Sequence, residues 1–267
     1  MSSAGFSSHL LASGPGWEVR DIVCTAGPDD RLFEEQHDAM CIAAVMRGSF
    51  QYRASHGAAM LAPGALLLGN EGACFECGHE HGRGDRCLAF HFSRAHLENI
   101  VAALPGVRRA RFDHPRLPPL SSLMPLLATA EAARDDADTA ALEDLAFRLP
   151  AAVVATLAES DLKARQPSER DQRRVAEGVR RIEAKADEPD APSLKLPALA
   201  RTAAMSPYHF LRVFQDVVGM TPHQYVLHTR MHRAAVRLRR THPTLRLRDE
   251  PAAPRRSVRR WLRGALI

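Results

Sequence analysis

The chain changes texture once, near residue 115, and that change limits what it can fold into. Up to residue 93 it consists of short apolar runs broken by turn-forming residues. Cys41–Val45, Ala65–Leu68 and Leu88–Phe92 are such runs; Arg47-Gly48, Ser55-His56-Gly57, Pro63-Gly64, Gly69-Asn70 and Gly82-Arg83-Gly84 are such breaks. Gly and Pro at this density rule out long helices, because each weakens or interrupts the helical hydrogen-bond ladder. Closely spaced strands joined by Gly-rich turns point instead to an all-β barrel or sandwich over about residues 16–95. Leu120–Arg134 and Ala137–Leu162 then carry Ala, Leu and Glu with no Gly, and read as two helices with a bend at Pro150. The second has an apolar face through Leu142, Leu145, Ala146, Leu149, Val153 and Leu157. Such a pair either covers the barrel or joins two chains.

Charge divides the chain a second time. The net charge of +5 conceals 15 Lys and Arg against 21 Asp and Glu in residues 1–167, and 21 against 10 in residues 168–267. A mildly acidic part followed by a strongly basic hundred residues suggests a sensor or an enzyme joined to an anion-binding part; a basic solvated surface is the plainer reading. No apolar window of about 18 residues is present, which excludes a spanning helix. Met1–Ala12 lacks a basic segment ahead of its apolar run, so no secretory leader is expected. Five cysteines, an odd number in a long chain, suit a reducing cytoplasm.

The most informative stretch is Leu196–Leu238. Leu196, Leu199, Ala200 and Ala203 share one face of a short helix, with Pro197 near its start. After a turn at Ala204-Met205, Ser206 can cap a second helix whose first residue is Pro207. In that helix Phe210, Val213, Phe214 and Val217 point to a core, while Tyr208, Leu211, Arg212 and Gln215 lie on the other side. Gly219 is placed to end the helix. Thr221-Pro222 begins a third, running to Arg240, with Tyr225, Val226, Met231, Ala234 and Leu238 expected inward. Two short helices joined by a tight turn, the second amphipathic, are the helix-turn-helix pattern, whose second helix enters the DNA major groove. Arg212 could then pair with guanine O6 and N7; Tyr208 and Leu211 could touch thymine methyls or sugar; Gln215 could reach a base or a phosphate. Arg230 and Arg233 are placed for phosphates.

The run Leu199-Ala200…Ala203…Met205-Ser206-Pro207-Tyr208-His209-Phe210…Arg212…Phe214, continued by Gly219-Met220-Thr221-Pro222…Tyr225 and Arg230-Met231, resembles the AraC/XylS family of bacterial transcription regulators. The resemblance implies base contacts at Tyr208, Leu211 and Arg212 and phosphate contacts near Ser206 and Thr221. Gly48-Ser49-Phe50…Tyr52-Arg53, Leu61…Pro63-Gly64…Gly69-Asn70 and Phe75-Glu76-Cys77-Gly78-His79 resemble that family's cupin-like effector domain. The fold implied is α+β: a cupin-like β-barrel with a helical appendage over residues 1–162, a linker at 163–169, and an all-α helix-turn-helix domain at 170–240. The function implied is sequence-specific binding of double-stranded DNA by an effector-responsive activator that engages RNA polymerase, acts as a homodimer and takes a small-molecule effector.

Two departures stand out. Position 204 is usually Gly in such turns, and Ala204 would cost on the order of 1 kcal/mol if the left-handed backbone is kept. The family also carries a second helix-turn-helix unit, whereas Thr241–Ile267 is an irregular Arg- and Pro-rich tail in which no second recognition helix can be read. A shifted reading frame and a basic tail that adds phosphate contacts are both open, and so is a regulator whose specific binding is impaired.

Cys74, Cys77, His79, His81 and Cys87 form a further cluster. If Phe75–His81 is a strand, Cys77, His79 and His81 share a face, and thiolates with imidazoles at such spacing are zinc-type ligands. Cys77, His79, His81 and Cys87 are therefore the candidate ligands for zinc or another divalent metal, with core packing as the alternative. A metal-dependent cupin enzyme built on His79, His81 and His91 is the rival function, but the sequence offers no positioned carboxylate base, and a non-enzymatic regulator is the expectation.

Overall fold

The computed structural model describes residues 5–30, 33–79, 84–104, 110–159, 167–188 and 191–241. Its first part holds two antiparallel sheets. The larger orders β1 (Phe6–Gly14), β2 (Trp17–Cys24), β9 (Asp85–Phe92), β4 (Met40–Gly48), β7 (Leu66–Gly69) and β10 (Arg116–Leu117). The smaller orders β3 (Phe33–Gln36), β8 (Cys74–Gly78), β5 (Phe50–Ala54) and β6 (Gly57–Leu61). Between them lies one core that includes Cys41, Ala43, Val45, Cys87 and Ala89 from the larger sheet and Phe50, Tyr52 and Leu61 from the smaller.

The outer face of the larger sheet is also covered. Ile42, Ala44, Leu66, Leu68, Leu88 and Phe90 pack there against α1 (Arg94–Ala102), α2 (Met124–Asp135) and α3 (Thr139–Glu159). Burial on both faces explains why Met40–Met46 is buried without alternation. The helix pair therefore covers the barrel through Leu127, Leu142, Leu145, Leu149 and Val153. Pro150 lies inside α3 without dividing it. Strand β1 and helix α1 are additions to the sequence reading. β1 is largely exposed and offers no alternation to read; α1 is started by Ser93, whose hydroxyl accepts from the His96 amide at 3.2 Å.

The second part is α4 (Glu169–Lys185), a 3₁₀ turn at Pro192–Leu194, α5 (Leu196–Thr202), α6 (Pro207–Val218) and α7 (Pro222–Thr241). Of the expected linker, residues 163–166 lie outside the described residues, as does the tail from residue 242. Phe210, Phe214, Val217 and Tyr225 form the centre of this part with Val175, Val179 and Ile182 of α4. Gly178 lets α4 approach, since a Cβ there would meet the Phe210 ring at 2.9 Å. The face of α7 differs from the sequence reading. Tyr225, Val226, His228, Thr229 and Val236 are buried, whereas Met231 and Leu238 are 58% and 56% exposed and Ala234 is also exposed. The apolar residues at 231, 234 and 238 occupy the opposite side of the helix, and the side that meets the barrel is partly polar.

The two parts pack directly on each other. Met60 and Ala62 of the barrel join the core around Phe210 and Phe214. The Tyr225 hydroxyl donates to the Pro63 carbonyl at 3.3 Å, and His232 Nε2 lies 2.7 Å from the Glu131 carboxylate of α2. Gly64, with φ +87°, gives His228 its place: a Cβ at 64 would meet the ring at 2.8 Å. Burial, with His232 beside it, lowers the His228 pKa from 6.5 to about 4. Above pH 6.5 the ring is neutral folded or unfolded. Below that the unfolded chain takes the proton first, so stability falls from about pH 6.5 towards 4. At pH 5 the loss from this one group is about 2 kcal/mol. Denaturant melts at pH 7 and pH 5 should show that the difference shrinks by this amount in His228→Gln; an unchanged difference would show that the ring is not buried at this junction.

Candidate nucleic-acid interface

Helix α6 is built to hold one face in and one face out. Ser206 caps it, its hydroxyl accepting from the His209 amide at 3.3 Å, and Pro207 fills the first helical position. Gly219, with φ +93°, ends it with a bond from its amide to the Gln215 carbonyl. Phe210, Val213, Phe214 and Val217 are buried as the spacing requires. On the other side Tyr208 is 75% exposed, Arg212 and Gln215 are exposed, and Leu211 is half-buried. Among the described residues the Arg212 guanidinium has no hydrogen-bond partner. Helix α7 opens with a reciprocal cap: the Thr221 hydroxyl accepts from the Gln224 amide at 3.2 Å, and the Gln224 side chain accepts from the Thr221 amide at 2.9 Å. Between α5 and α6 the turn places Ala204 at φ +50°, the left-handed conformation that an L side chain resists.

Residues 199–247 match a family model described as a helix-turn-helix domain. Over 47 residues the chain is 51% identical to HTH-type transcriptional regulator Rv1931c of Mycobacterium tuberculosis; the match covers 18% of this chain and 18% of that relative. The matched region is thus a small share of the relative's length, and it ends before the tail does. For the N-terminal region, similar solved structures include the Clostridium difficile EutQ protein, 12% identical, with a TM-score of 0.30 over 34% of this chain and 70% of that one. Another is a cupin 2 conserved barrel domain protein from Leptotrichia buccalis, 11% identical, with a TM-score of 0.30 over 35% of this chain and 43% of that one. No helix among the described residues is long and apolar enough to cross a membrane.

Within the helix-turn-helix domain two of the expected phosphate contacts are otherwise engaged. Arg230 donates to the carbonyls of Ala186 and Glu188 at 2.8 and 2.9 Å. Arg233 donates to Asp187 at 2.8 Å and to the Glu183 carbonyl at 2.6 Å. Both guanidiniums brace the end of α4 and the segment after it, where helix-terminal carbonyls lack intrahelical partners. The sequence could not show this, because the acceptors lie more than 40 residues away. Ser206 and Thr221 stand at the starts of α6 and α7, where free amide groups favour an anion.

The cysteine–histidine cluster is assembled differently from the sequence reading. His79 Nε2 lies 2.5 Å from Asp85 Oδ1, and the Cys87 thiol donates to Asp85 Oδ2 at 3.3 Å. Cys24 joins them: one donor atom from each of Cys24, His79 and Asp85 lies within 4.8 Å of the other two. Cys77 points into the same core beside them. His81 lies outside the described residues. Burial pushes the His79 pKa down, but the neighbouring Asp85 and Cys24 outweigh it and carry the group to about 9. Asp85 and Cys24 carried no signal in the local sequence. They meet because β2 and β9 pair antiparallel with Cys24 opposite Asp85.

At the other end of the same interior, His37 stacks on Phe75 and bonds to the Tyr52 hydroxyl at 2.9 Å.

Two left-handed positions in the domain test this geometry in opposite directions. Ala204→Gly should raise stability by about 0.5–1 kcal/mol, because Gly relieves the strain at φ +50° at a smaller entropic cost. Gly219→Ala should lower it by about 1–3 kcal/mol, because the new Cβ is strained and would also sit 2.3 Å from the Pro118 Cβ. Chemical denaturation of both variants measures the pair; equal and small effects would show that neither turn keeps its left-handed backbone.

Proposed function

We propose that this chain is a DNA-binding transcription regulator in which α6 lies in the major groove. The observation that carries the reading is the outward row Tyr208, Arg212 and Gln215 on a helix whose other face is locked into a core. Arg212 is the base reader: exposed and without a hydrogen-bond partner among the described residues, it can donate two hydrogen bonds to guanine O6 and N7. Tyr208 and Leu211 supply contacts to thymine methyls or sugar, and Gln215 reaches a neighbouring base or phosphate. Ser206 and Thr221 position the helix on the backbone through their helix starts. Arg230 and Arg233 act one step back, by fixing α7 against α4. A relative named as an HTH-type transcriptional regulator supports the same reading.

The barrel is the responsive half. Its loops at Pro63-Gly64 and its helix α2 touch α7, the helix that carries α6, and a cleft of about 620 Å³ lies between them, lined by Arg47, Ser49, Glu131, Arg180, Glu183 and His228 among others. A ligand that alters the barrel has a direct path to the DNA-facing helix. Two copies acting as a homodimer would supply two half-sites. Activation through RNA polymerase in the cytoplasm, with a small-molecule effector and no catalytic step, completes the proposal.

DNA protection across the chain's own upstream region, at two salt concentrations, tests it. The unaltered chain should protect a discrete site. Arg212→Ala should weaken that binding by about 1–3 kcal/mol, some 5- to 150-fold, with the salt slope nearly unchanged. Equal binding by both, without a discrete site and released steeply by salt, would leave only a basic surface at work and refute sequence reading by α6.

A further inference from the structure

The interior of the barrel holds a second set of chemistry that DNA binding does not use. Cys24 ends β2, Asp85 begins β9, and the two are register partners; Gly48, the last residue of β4, faces Asp85 from its other side. His79 follows β8 and completes the group. The backbone is shaped to let these ends converge. Gly84 has φ +65°, and a Cβ on it would lie 2.8 Å from the Cys24 carbonyl; a Cβ on Gly48, φ +75°, would lie 2.2 Å from the Gly84 carbonyl. Only glycine tolerates both the left-handed backbone and that approach.

The resulting cluster is rich in metal-ligating atoms. A carboxylate and two thiols, Cys24 and Cys87, are buried together with one imidazole. The side chain of His79 is 1% exposed. Its Nε2 is taken by Asp85, while its Nδ1 is buried with no hydrogen-bond partner. Among the described residues no Lys or Arg hydrogen-bonds to Asp85. Buried polar groups in native proteins are normally satisfied, and the His79 Nδ1 is not.

We propose that Cys24, His79 and Asp85, with the Cys87 thiol as fourth donor, bind one thiophilic divalent metal ion such as Zn²⁺. The donor set decides the class of ion. Mixed sulfur, nitrogen and oxygen donors suit zinc and its neighbours, whereas calcium and magnesium require oxygen alone. The size fits as well. Metal–ligand lengths of about 2.0–2.3 Å set donor-to-donor edges of roughly 3.3–3.8 Å in a tetrahedron. The three principal donors already lie within 4.8 Å of one another, and the Cys87 thiol is 3.3 Å from the Asp85 carboxylate. On binding, the ion replaces the proton shared by His79 and Asp85, and the thiol protons leave to solvent. This assignment is independent of the DNA-binding reading.

Cobalt is the probe, because its absorption reports its ligands. The full chain, reduced and freed of metal by a chelator, is titrated with Co²⁺. One equivalent should bind, with a thiolate-to-cobalt charge-transfer band and the strong visible bands of a tetrahedral site, and Zn²⁺ should displace it. Cys24→Ala and His79→Gln should lose the band and bind at least about 100-fold more weakly, while Cys74→Ala, which removes an exposed thiol outside the set, should leave both unchanged. A band retained in Cys24→Ala would overturn the assignment. So would the absence of stoichiometric binding by the unaltered chain. Melting supplies a readout that needs no variant: excess Zn²⁺ should raise the midpoint of the unaltered chain, and an unmoved midpoint overturns the site even if a substitution prevents folding.

Discussion

The arrangement of this molecule depends on Tyr225. Its ring is fully buried, edge-on to Phe214 in the core of the helical part, and its hydroxyl reaches out of that core to the Pro63 carbonyl of the barrel and the Glu183 carboxylate of α4. A buried phenol needs a partner for its O–H, and here the partners belong to two other parts of the fold. The same carboxylate also accepts from Thr229 and pairs with Arg233. Burial lifts the Glu183 pKa, and the neighbouring Arg233, Tyr225 and Thr229 offset part of that rise. One aromatic residue thus ties α4, α7 and a barrel loop into one network. The position of α6, which packs on α4 and α5 and leads into α7, follows from it.

This docking explains the uneven use of glycine. Gly64 and Gly219 both have left-handed backbones, and both face the other part of the molecule, one against His228 and the other against Pro118. Each residue serves its own turn and also removes the side chain that would hold the two parts apart. A sequence reading assigns such glycines to local turns, correctly, yet their second role depends on contacts more than 90 residues distant.

What was legible in the sequence follows the range of the forces involved. Helices α4 to α7 were readable because caps and faces are written within one or two turns: Ser206 with Pro207, Thr221 with Gln224, and Phe210, Val213, Phe214 and Val217 on one stripe. The two-sheet region was readable as a class from its turns, but not in its register. Without register Cys24 cannot be placed beside Asp85, so the sequence groups Cys77, His79 and His81 along one strand and adds Cys87 by proximity. The inward face of α7 was misread at Met231, Ala234 and Leu238 for a related reason. Apolar character was taken as the mark of burial, whereas the side of α7 that meets the barrel carries His228, Thr229 and His232, made tolerable by hydrogen bonds or by a neutral ring.

The basic balance of the last hundred residues calls for similar care. A count of arginines measures charge, not the charge available to a phosphate. Arg230 and Arg233 are held by the carbonyls and carboxylates around residues 183–188, and Arg237 pairs with Asp187. Their positive charge is partly neutralised, and the donors so engaged are not free for a phosphate. Arg212 differs in having no hydrogen-bond partner among the described residues. The acceptors that the tertiary fold places beside Arg230, Arg233 and Arg237 thus decide how much of the domain's positive charge is used internally.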